Sequence, residues 1–297
     1  MNPRLVAALK LAVAAGIVGF LIATDKLSLA PVWAMAARPW AWLGLLAAQL
    51  AILQLGILRW WVLLRAMQGR PAPYRRLLTV TWIGHFFGLV APSSLATDVT
   101  RYGYLQRDGV ARADIVASLV LDRICGTAGI VLLAAVCSHG ALAALFGART
   151  SLFLAGVLAA AAVGWLAVVA LRHRLAIAGP IDRLHGALRT AAAAKGATAF
   201  AFFLGVLAHT LKALSFFLLV WALDLPLTLA EFFSFAPAGL LIEALPLTPN
   251  GMGTAHLAFE RFFALHGITA GASLFNVYFL TRVSISLVGG VLFLLRR

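Results

Sequence analysis

At 297 residues the chain is long enough for two soluble domains, yet 63% of it is hydrophobic, only 11% is charged and its mean hydropathy is +0.97. A soluble domain is about 45–50% apolar and about 25% charged, so a soluble fold is excluded and a polytopic membrane protein is implied. The formal charge of +14 does not argue for nucleic acid, because no nucleic-acid motif accompanies it and little surface is left to carry one.

Met1 to Thr24 carries Arg4 and Lys10 ahead of an apolar run. No clear small-x-small cleavage site follows and further spans come after it, so an uncleaved first helix is preferred to a signal peptide. The next apolar run, Trp40 to about Leu58, is followed by Arg59, Arg65, Arg70, Arg75 and Arg76 with no acid among them. Leu77 to Leu95 is apolar but ends in Ala91-Pro92-Ser93-Ser94, and a polar, charged segment follows from Thr97 to Asp114. Spans are expected near Ile115–Val136, Ser151–Leu171 and Phe200–Leu223, and a last one at about Ala272–Leu295 is closed by Arg296 and Arg297. Cys125 and Cys137 share one predicted span; at a rise of about 1.5 Å per residue they lie roughly 18 Å apart, too far for a disulfide.

The apolar region Phe232–Phe263 is broken by Pro246, Pro249, Gly251 and Gly253. Proline removes a backbone donor and clashes with the preceding turn, and glycine tolerates the sharp reversal such a break needs. Free backbone groups cost several kcal/mol each in hydrocarbon, so a broken helix persists there only when it is buried in protein or lines a cavity. Each half is shorter than the roughly 20 residues of a full span. The stretch from Glu243 to His256 therefore reads as the tip of a re-entrant pair of half-helices; a surface loop between ordinary spans is the alternative.

The basic residues sharpen this. With Met1 inside and both Leu77–Leu95 and Phe232–Phe263 re-entrant, most of the 24 basic residues fall on one side, and the outer loops hold only Lys26, Arg38 and Arg149, as the positive-inside rule requires. Were Leu77–Leu95 to cross fully, the arginines from Arg59 to Arg76 would face the opposite side from Arg101, Arg107 and Arg112. The order span, span, re-entrant segment, span then occurs twice, with Pro92 matching Pro246 and Arg123 matching Arg282, the pattern of an inverted-topology repeat. The expected fold is an all-α polytopic membrane protein with about six full transmembrane helices and two re-entrant helical hairpins in an inverted-repeat arrangement. It forms a single integral membrane domain over residues 1–297, with pseudo-repeats of about 1–140 and 141–297.

Charged groups inside spans are expensive and mark functional sites by default. Here they are Asp122, Arg123, Lys212 and Arg282. Asp122 and Arg123 point about 100° apart on a helix and need not pair with each other. The arginines form either a cationic cavity for an anionic group or buried charges merely neutralised by Asp122 and Glu243. Half-helix N-termini at the tips would favour an anion, and Ser93, Ser94, Thr97, Thr248, Asn250 and Thr254 add short polar groups there, or simply cap helices. Arg101 completes the cationic set. Asp98, Asp122, Glu243, His256 and Glu260 are candidates for proton coupling or charge pairing; His256 and Glu260, four apart, share a helical face, and an unperturbed histidine titrates near neutrality. His85 and His209 are weaker candidates. There is no H-E-x-x-H, C-x-x-C, G-x-S-x-G or P-loop, so no catalytic residue, metal site or cofactor is expected.

Four stretches resemble one family. Leu89-Val90-Ala91-Pro92-Ser93-Ser94-Leu95-Ala96-Thr97-Asp98-Val99-Thr100-Arg101 resembles its pattern of a proline, small residues, Gly-Gly-Asp and then an arginine. Leu245-Pro246-Leu247-Thr248-Pro249-Asn250-Gly251-Met252-Gly253 resembles its Leu-Pro-x-Ser-Pro-Gly-Gly-x-Gly motif, and Asp122-Arg123-Ile124-Cys125-Gly126 and Tyr278-Phe279-Leu280-Thr281-Arg282 its other short patterns. This is the lysylphosphatidylglycerol synthase transmembrane (flippase-like) family, and the resemblance runs from about Leu43 to Leu295. Ala96-Thr97 stands where two glycines are usual, Asn250 replaces a glycine, and His256 stands near a frequent glutamate.

The resemblance implies an inner-membrane protein that moves a polar or anionic lipid between leaflets: a phospholipid, aminoacyl-phospholipid, hopanoid or polyprenyl-linked lipid. Both termini are expected in the cytoplasm. The sequence to Arg297 contains no synthetase domain, so the lipid is expected to come from a separately encoded enzyme. Arg101, Arg123, Lys212, Arg282, Ser93, Ser94, Thr248 and Asn250 are the expected substrate-binding residues. The partner is a membrane lipid and not nucleic acid, and a homo-oligomer is compatible with the reading. Two other classes stand beside it: an intramembrane transferase or hydrolase on a lipid-linked phosphate with Asp98 or His256 as base, and a non-catalytic membrane partner of a lipid-modifying enzyme.

Overall fold

The computed structural model describes residues 30–67, 72–90, 95–150, 156, 186, 189, 194–245 and 248–295. The described residues are helical, with no strand among them. In chain order the helices are α1 (Ala30–Ala36), α2 (Pro39–Met67), α3 (Tyr74–Val90), α4 (Ala96–Arg107), α5 (Arg112–Cys137), α6 (His139–Phe146), α7 (Lys195–Ala222), α8 (Leu229–Phe233), α9 (Ala236–Ala244), α10 (Thr254–Ala264) and α11 (Gly271–Leu295). Four of them, α2, α5, α7 and α11, with 29, 26, 28 and 25 residues, are long and apolar enough to cross a membrane. The expected first helix and the span at Ser151–Leu171 lie outside the described residues.

Helix ends follow local chemistry. Pro39 opens α2, where its missing N–H costs nothing, and α3 begins directly after Pro73. Pro237 sits in the first turn of α9. The first turn of α11 is capped from another helix: the Ala272 N–H donates to Glu260 Oε2 at 3.0 Å.

The short helices form two antiparallel hairpins. In the first, α3 and α4 have 17 and 12 residues; even the longer rises only about 25 Å, less than the roughly 30 Å hydrocarbon core. Arg76 at the start of α3 forms a bidentate ion pair with Asp108 just past α4. At the other end Thr97 Oγ1 donates to the Gly84 carbonyl at 3.0 Å. The two helices are therefore paired along their length, with the base of the hairpin at Arg76 and Asp108 and its tip on the side of Val90 and Leu95. The second hairpin pairs α9 and α10, of 9 and 11 residues. Phe235 stacks on Phe262 and meets Phe263 edge-on, and Gly239 lies under the Phe259 ring. Its tip holds a 3-10 turn at Pro249–Gly251.

The spans set which way each hairpin points. α2 and α7 run antiparallel: Arg38 pairs with Asp224 at 2.7 Å, Trp40 meets Trp221 edge-on at 5.2 Å and Gly44 faces Leu218. This end exposes Trp33, Trp40 and Trp221, the amphipathic aromatics that favour a membrane–water boundary. The opposite end gathers Arg65, Arg75, Arg76, Arg107, Arg112 and Lys195 from the ends of α2, α3, α4, α5 and α7. The first hairpin has its base at this basic end and the second at the tryptophan end, so their tips point toward each other. α3 packs on α11 and α9 packs on α5.

Close packing replaces the hydrophobic drive that lipid cannot supply between spans. α5 and α7 cross glycine on glycine: a Cβ at Gly129 would sit 2.8 Å from the Gly205 backbone. Beneath the second hairpin, Phe216 of α7 is fully buried among Phe232, Phe259, Phe263, Phe275 and Tyr278, with centroids 4.8 to 6.4 Å apart. Such pairs contribute about 0.5–1.5 kcal/mol each beyond burial.

One expectation is corrected here. The span read as ending near Leu58 continues to Met67, so Arg59 lies inside α2 and not in a cytoplasmic loop. Arg101, counted with the cytoplasmic arginines, is buried in the first hairpin. The remaining bases at Arg65, Arg75, Arg76, Arg107 and Arg112 still share one end.

Candidate functional site

The two tips touch. Asn250 Nδ2 donates to the Gly88 carbonyl at 3.0 Å, and Asn250 Oδ1 accepts from Arg282 Nη2 at 3.2 Å. One amide thus ties the end of α3, the second tip and α11 together. Asn250 can do this because its backbone takes a left-handed turn, φ 53° and ψ 22°, a conformation asparagine tolerates better than most residues. Gly251 follows at φ +72°, where a Cβ would lie 2.7 Å from Glu243 Cγ. The tip therefore needs glycine so that the Glu243 side chain can fold beneath it.

Beside this contact lies a cavity of about 380 Å³, lined by α2, α3, α4, α5, α7, α11 and the second tip. Among the described residues, five basic side chains face it, Arg59, Arg101, Arg123, Lys212 and Arg282, with three carboxylates, Asp98, Asp122 and Glu243. The charges form two clusters. In the first, Arg59 Nε donates to Asp122 Oδ1 at 2.6 Å and Arg123 Nε donates to Asp98 Oδ2. Arg101 stands between these acids, its Nη1 3.6 Å from both Asp98 Oδ1 and Asp122 Oδ2, and its guanidinium lies over the Trp60 ring at 4.7 Å. The ring face attracts the cation, and Trp60 is itself fixed by donating to Ser118 Oγ at 3.0 Å. In the second cluster, Glu243 accepts from Lys212 Nζ at 2.7 Å and from Arg282 Nη1 at 2.9 Å.

Neither Arg123 nor Arg282 is sealed into a dry pair, although each has a carboxylate partner: their side chains remain 45% and 32% exposed. Among the described residues, two buried nitrogens on side chains that line the cavity have no hydrogen-bond partner, Arg101 Nε and His209 Nδ1. An unpaired buried donor carries its full desolvation penalty, which an ordered water or a bound polar group in the cavity would relieve.

The structure gathers Arg101, Arg123, Lys212, Arg282, Asp98, Asp122, Glu243, Thr248 and Asn250 around one cavity. Ser93 and Ser94 lie outside the described residues. Thr248 also pairs with Thr254 hydroxyl to hydroxyl at 3.0 Å, bracing the tip. His256 and Glu260 are buried away from the cavity and serve helix ends. His256 Nδ1 accepts from the Gly253 N–H at 3.3 Å and its ring meets Phe275 edge-on; Glu260 caps α11. Sequence reasoning missed Arg59 and Gln49. The signal for Arg59 was the apolar run Trp60-Trp61-Val62-Leu63-Leu64 that continues past it, together with a spacing to Lys212 close to that between Pro92 and Pro246.

Helices that span, paired with shorter hairpins that meet over buried ion pairs, define a polytopic helical membrane protein with an internal polar site. Among such proteins, this chain belongs to the lysylphosphatidylglycerol synthase TM region family, whose profile matches residues 7–289. No curated protein and no solved structure matches it.

Proposed function

We propose that this protein translocates a polar or anionic lipid between the leaflets of a membrane, without altering it chemically. The observation that carries the reading is the cavity: among the described residues, five cations facing three carboxylates, beside the contact of two oppositely directed hairpins. Family membership supports a lipid-related membrane role. The element order supports two inverted units, α2 to α5 and α7 to α11, each a span, a hairpin and a span, with each hairpin packed on a span of the other unit. In such repeats alternating access is a rocking of one unit against the other around a central site. Here the Asn250 contact is the pivot, and both hairpins are re-entrant.

A headgroup would enter the cavity while its acyl chains stay in lipid. An incoming anion competes with Glu243 for Lys212 and Arg282, and with Asp98 for Arg123, so binding rearranges ion pairs that hold the tips. The basic end faces the cytoplasm of the inner membrane by the positive-inside rule. The test is leaflet-resolved transport of labelled lipids in proteoliposomes. The reading expects transbilayer movement above that of empty vesicles for at least one polar or anionic lipid, recovered unchanged. Rates equal to empty vesicles across lipid classes, or a chemically altered product, would overturn it.

A further inference from the structure

We infer that the outer seam between α2 and α7 holds a resident anionic phospholipid, its headgroup at Arg65 and Lys195 and one acyl chain in the groove below them. The site is separate from the cavity, and the inference stands whether or not the cavity carries lipid across the membrane.

α2 and α7 each present two opposite faces. Toward the cavity they turn Ile52, Gly56 and Arg59, and His209 and Lys212. On the other side Leu55 and Leu58 of α2 and Leu207, Leu211 and Leu214 of α7 line a groove of about 550 Å³, within the range of ligand sites, about 300–1,000 Å³. Among the described residues, the cavity and the groove share no lining residue. The groove wall is almost wholly apolar, because its polar side chains turn to protein. The Tyr74 hydroxyl donates to Gln54 Oε1 at 2.8 Å, and Thr210 Oγ1 donates to the Val206 carbonyl at 3.0 Å.

The same two faces run on to the basic end. Ala51, Leu55, Leu58 and Arg65 recur at spacings of four, three and seven, so Arg65 stands on the groove face of α2. On α7, Phe203 and Phe200, both exposed, continue the line of Leu207. Counted from the Trp40–Trp221 contact, Arg65 lies 25 residues along α2 and Lys195 lies 26 along α7, so the two cations end level. Neither has a carboxylate partner among the described residues. Arg65 lies instead over the Trp61 ring at 5.1 Å, and that ring meets Tyr74 edge-on at 5.9 Å.

Cations, then aromatic rings, then a hydrocarbon groove follow the profile of one leaflet from headgroup to chain. At about 1.5 Å per residue the groove lies roughly 10 to 21 Å below the Arg65 backbone. Half a bilayer, headgroups included, is about 20–22 Å deep, so a single chain reaches the whole groove from a headgroup at Arg65. The charge at the rim selects the headgroup. A phosphodiester with no charge of its own to balance it meets two cations that lack an acid, whereas a zwitterion brings its own ammonium to the same place. Charge also argues against a second copy of the chain, which would set its Arg65 and Lys195 against the first pair.

The experiment uses the purified full chain in phosphatidylcholine nanodiscs doped with phosphatidylglycerol that carries a photoreactive diazirine on one acyl chain. Adducts are mapped by mass spectrometry after illumination. They are expected on residues 51–58 and 207–214, at several-fold higher yield than from the matching phosphatidylcholine probe. Arg65→Gln and Lys195→Gln should each lower the phosphatidylglycerol yield about fivefold at sub-saturating probe, the effect of one basic group beside an anionic leaflet. Leu211→Trp fills the groove with the rim charges intact and should abolish the adducts. Arg282→Gln, in the cavity, should leave them. Equal yields from the two probes, or no change in Arg65→Gln and Lys195→Gln, would overturn the inference. Adducts lost in Arg282→Gln and kept in Arg65→Gln would assign the lipid to the cavity instead. In a chain with Cys125 and Cys137 replaced, disulfide cross-linking of Leu55→Cys between two copies would give the groove to a second copy and equally overturn it.

Discussion

Glu243 is the residue whose removal should be felt most. Its side chain is 3% exposed and accepts from two cations, Lys212 at 17% and Arg282 at 32% exposure. Glu243→Gln keeps the shape and removes the charge, leaving two cations facing each other across a neutral amide. Breaking one partner out of a buried pair costs about 3–5 kcal/mol. Because Arg282 reaches solvent and still has Asn250, the lower figure applies, about 3 kcal/mol. For a chain of this size that lowers Tm by about 6–12 °C, at 2–4 °C per kcal/mol. The assay is tryptophan-fluorescence thermal unfolding in detergent or nanodiscs. The double substitution Glu243→Gln with Lys212→Met removes the stranded ammonium and should recover at least half of the loss, since neighbours in one network are not additive. A Glu243→Gln protein as stable as the parent, or a double variant no better than the single, would refute the reasoning.

Asn250 separates side-chain from backbone effects. Asn250→Ala loses the tie to Gly88 and Arg282 and keeps a strained φ, costing about 2–3 kcal/mol, from two hydrogen bonds at about 1 kcal/mol each and the left-handed backbone. Asn250→Gly loses only the tie, so its Tm should fall between those of Asn250→Ala and the parent. Gly88→Ala would place a Cβ 2.4 Å from Thr97 Oγ1; overpacking of this kind costs about 1–3 kcal/mol, and Thr97→Ala in the same chain should return part of it, measured by the same unfolding assay. Outside the spans, Thr228 donates through both its N–H and its hydroxyl to Glu231, which holds the Glu231 carboxyl below its ordinary value of 4.5. A carboxyl depressed on folding stabilises above its unfolded pKa and loses that contribution as pH falls through the folded one. The Tm difference between the parent and Glu231→Gln should therefore be constant from pH 7 down to about 4.5 and shrink below it.

How much was legible in the sequence follows from where side chains act. The broken second hairpin was readable because proline and glycine at Pro246 to Gly253 act on their own backbone. Arg123, Lys212 and Arg282 stood out because a charge within an apolar run has no local explanation. Arg59 was lost because it sits where one apolar stretch meets a row of arginines, and only packing against Asp122 distinguishes it from its neighbours. Gln49 is one of two amides in α2, with Gln54, and nothing local says which of them faces the cavity. His256 and Glu260 shared a helical face as expected, but the Gly253 N–H and the start of α11 claim them. Those partners depend on the path of the chain, which periodicity does not report.

The arrangement of the hairpins is open to one direct measurement. In a chain with Cys125 and Cys137 replaced, single cysteines at the exposed hairpin bases, Arg75→Cys and Arg107→Cys for the first, Ala230→Cys and Leu265→Cys for the second, are labelled with a membrane-impermeant thiol reagent in vesicles of known orientation. The account predicts that Arg75→Cys and Arg107→Cys react from one face, and Ala230→Cys and Leu265→Cys from the other. Labelling of Arg75→Cys and Arg107→Cys from opposite faces, or of all four from the same face, would contradict it.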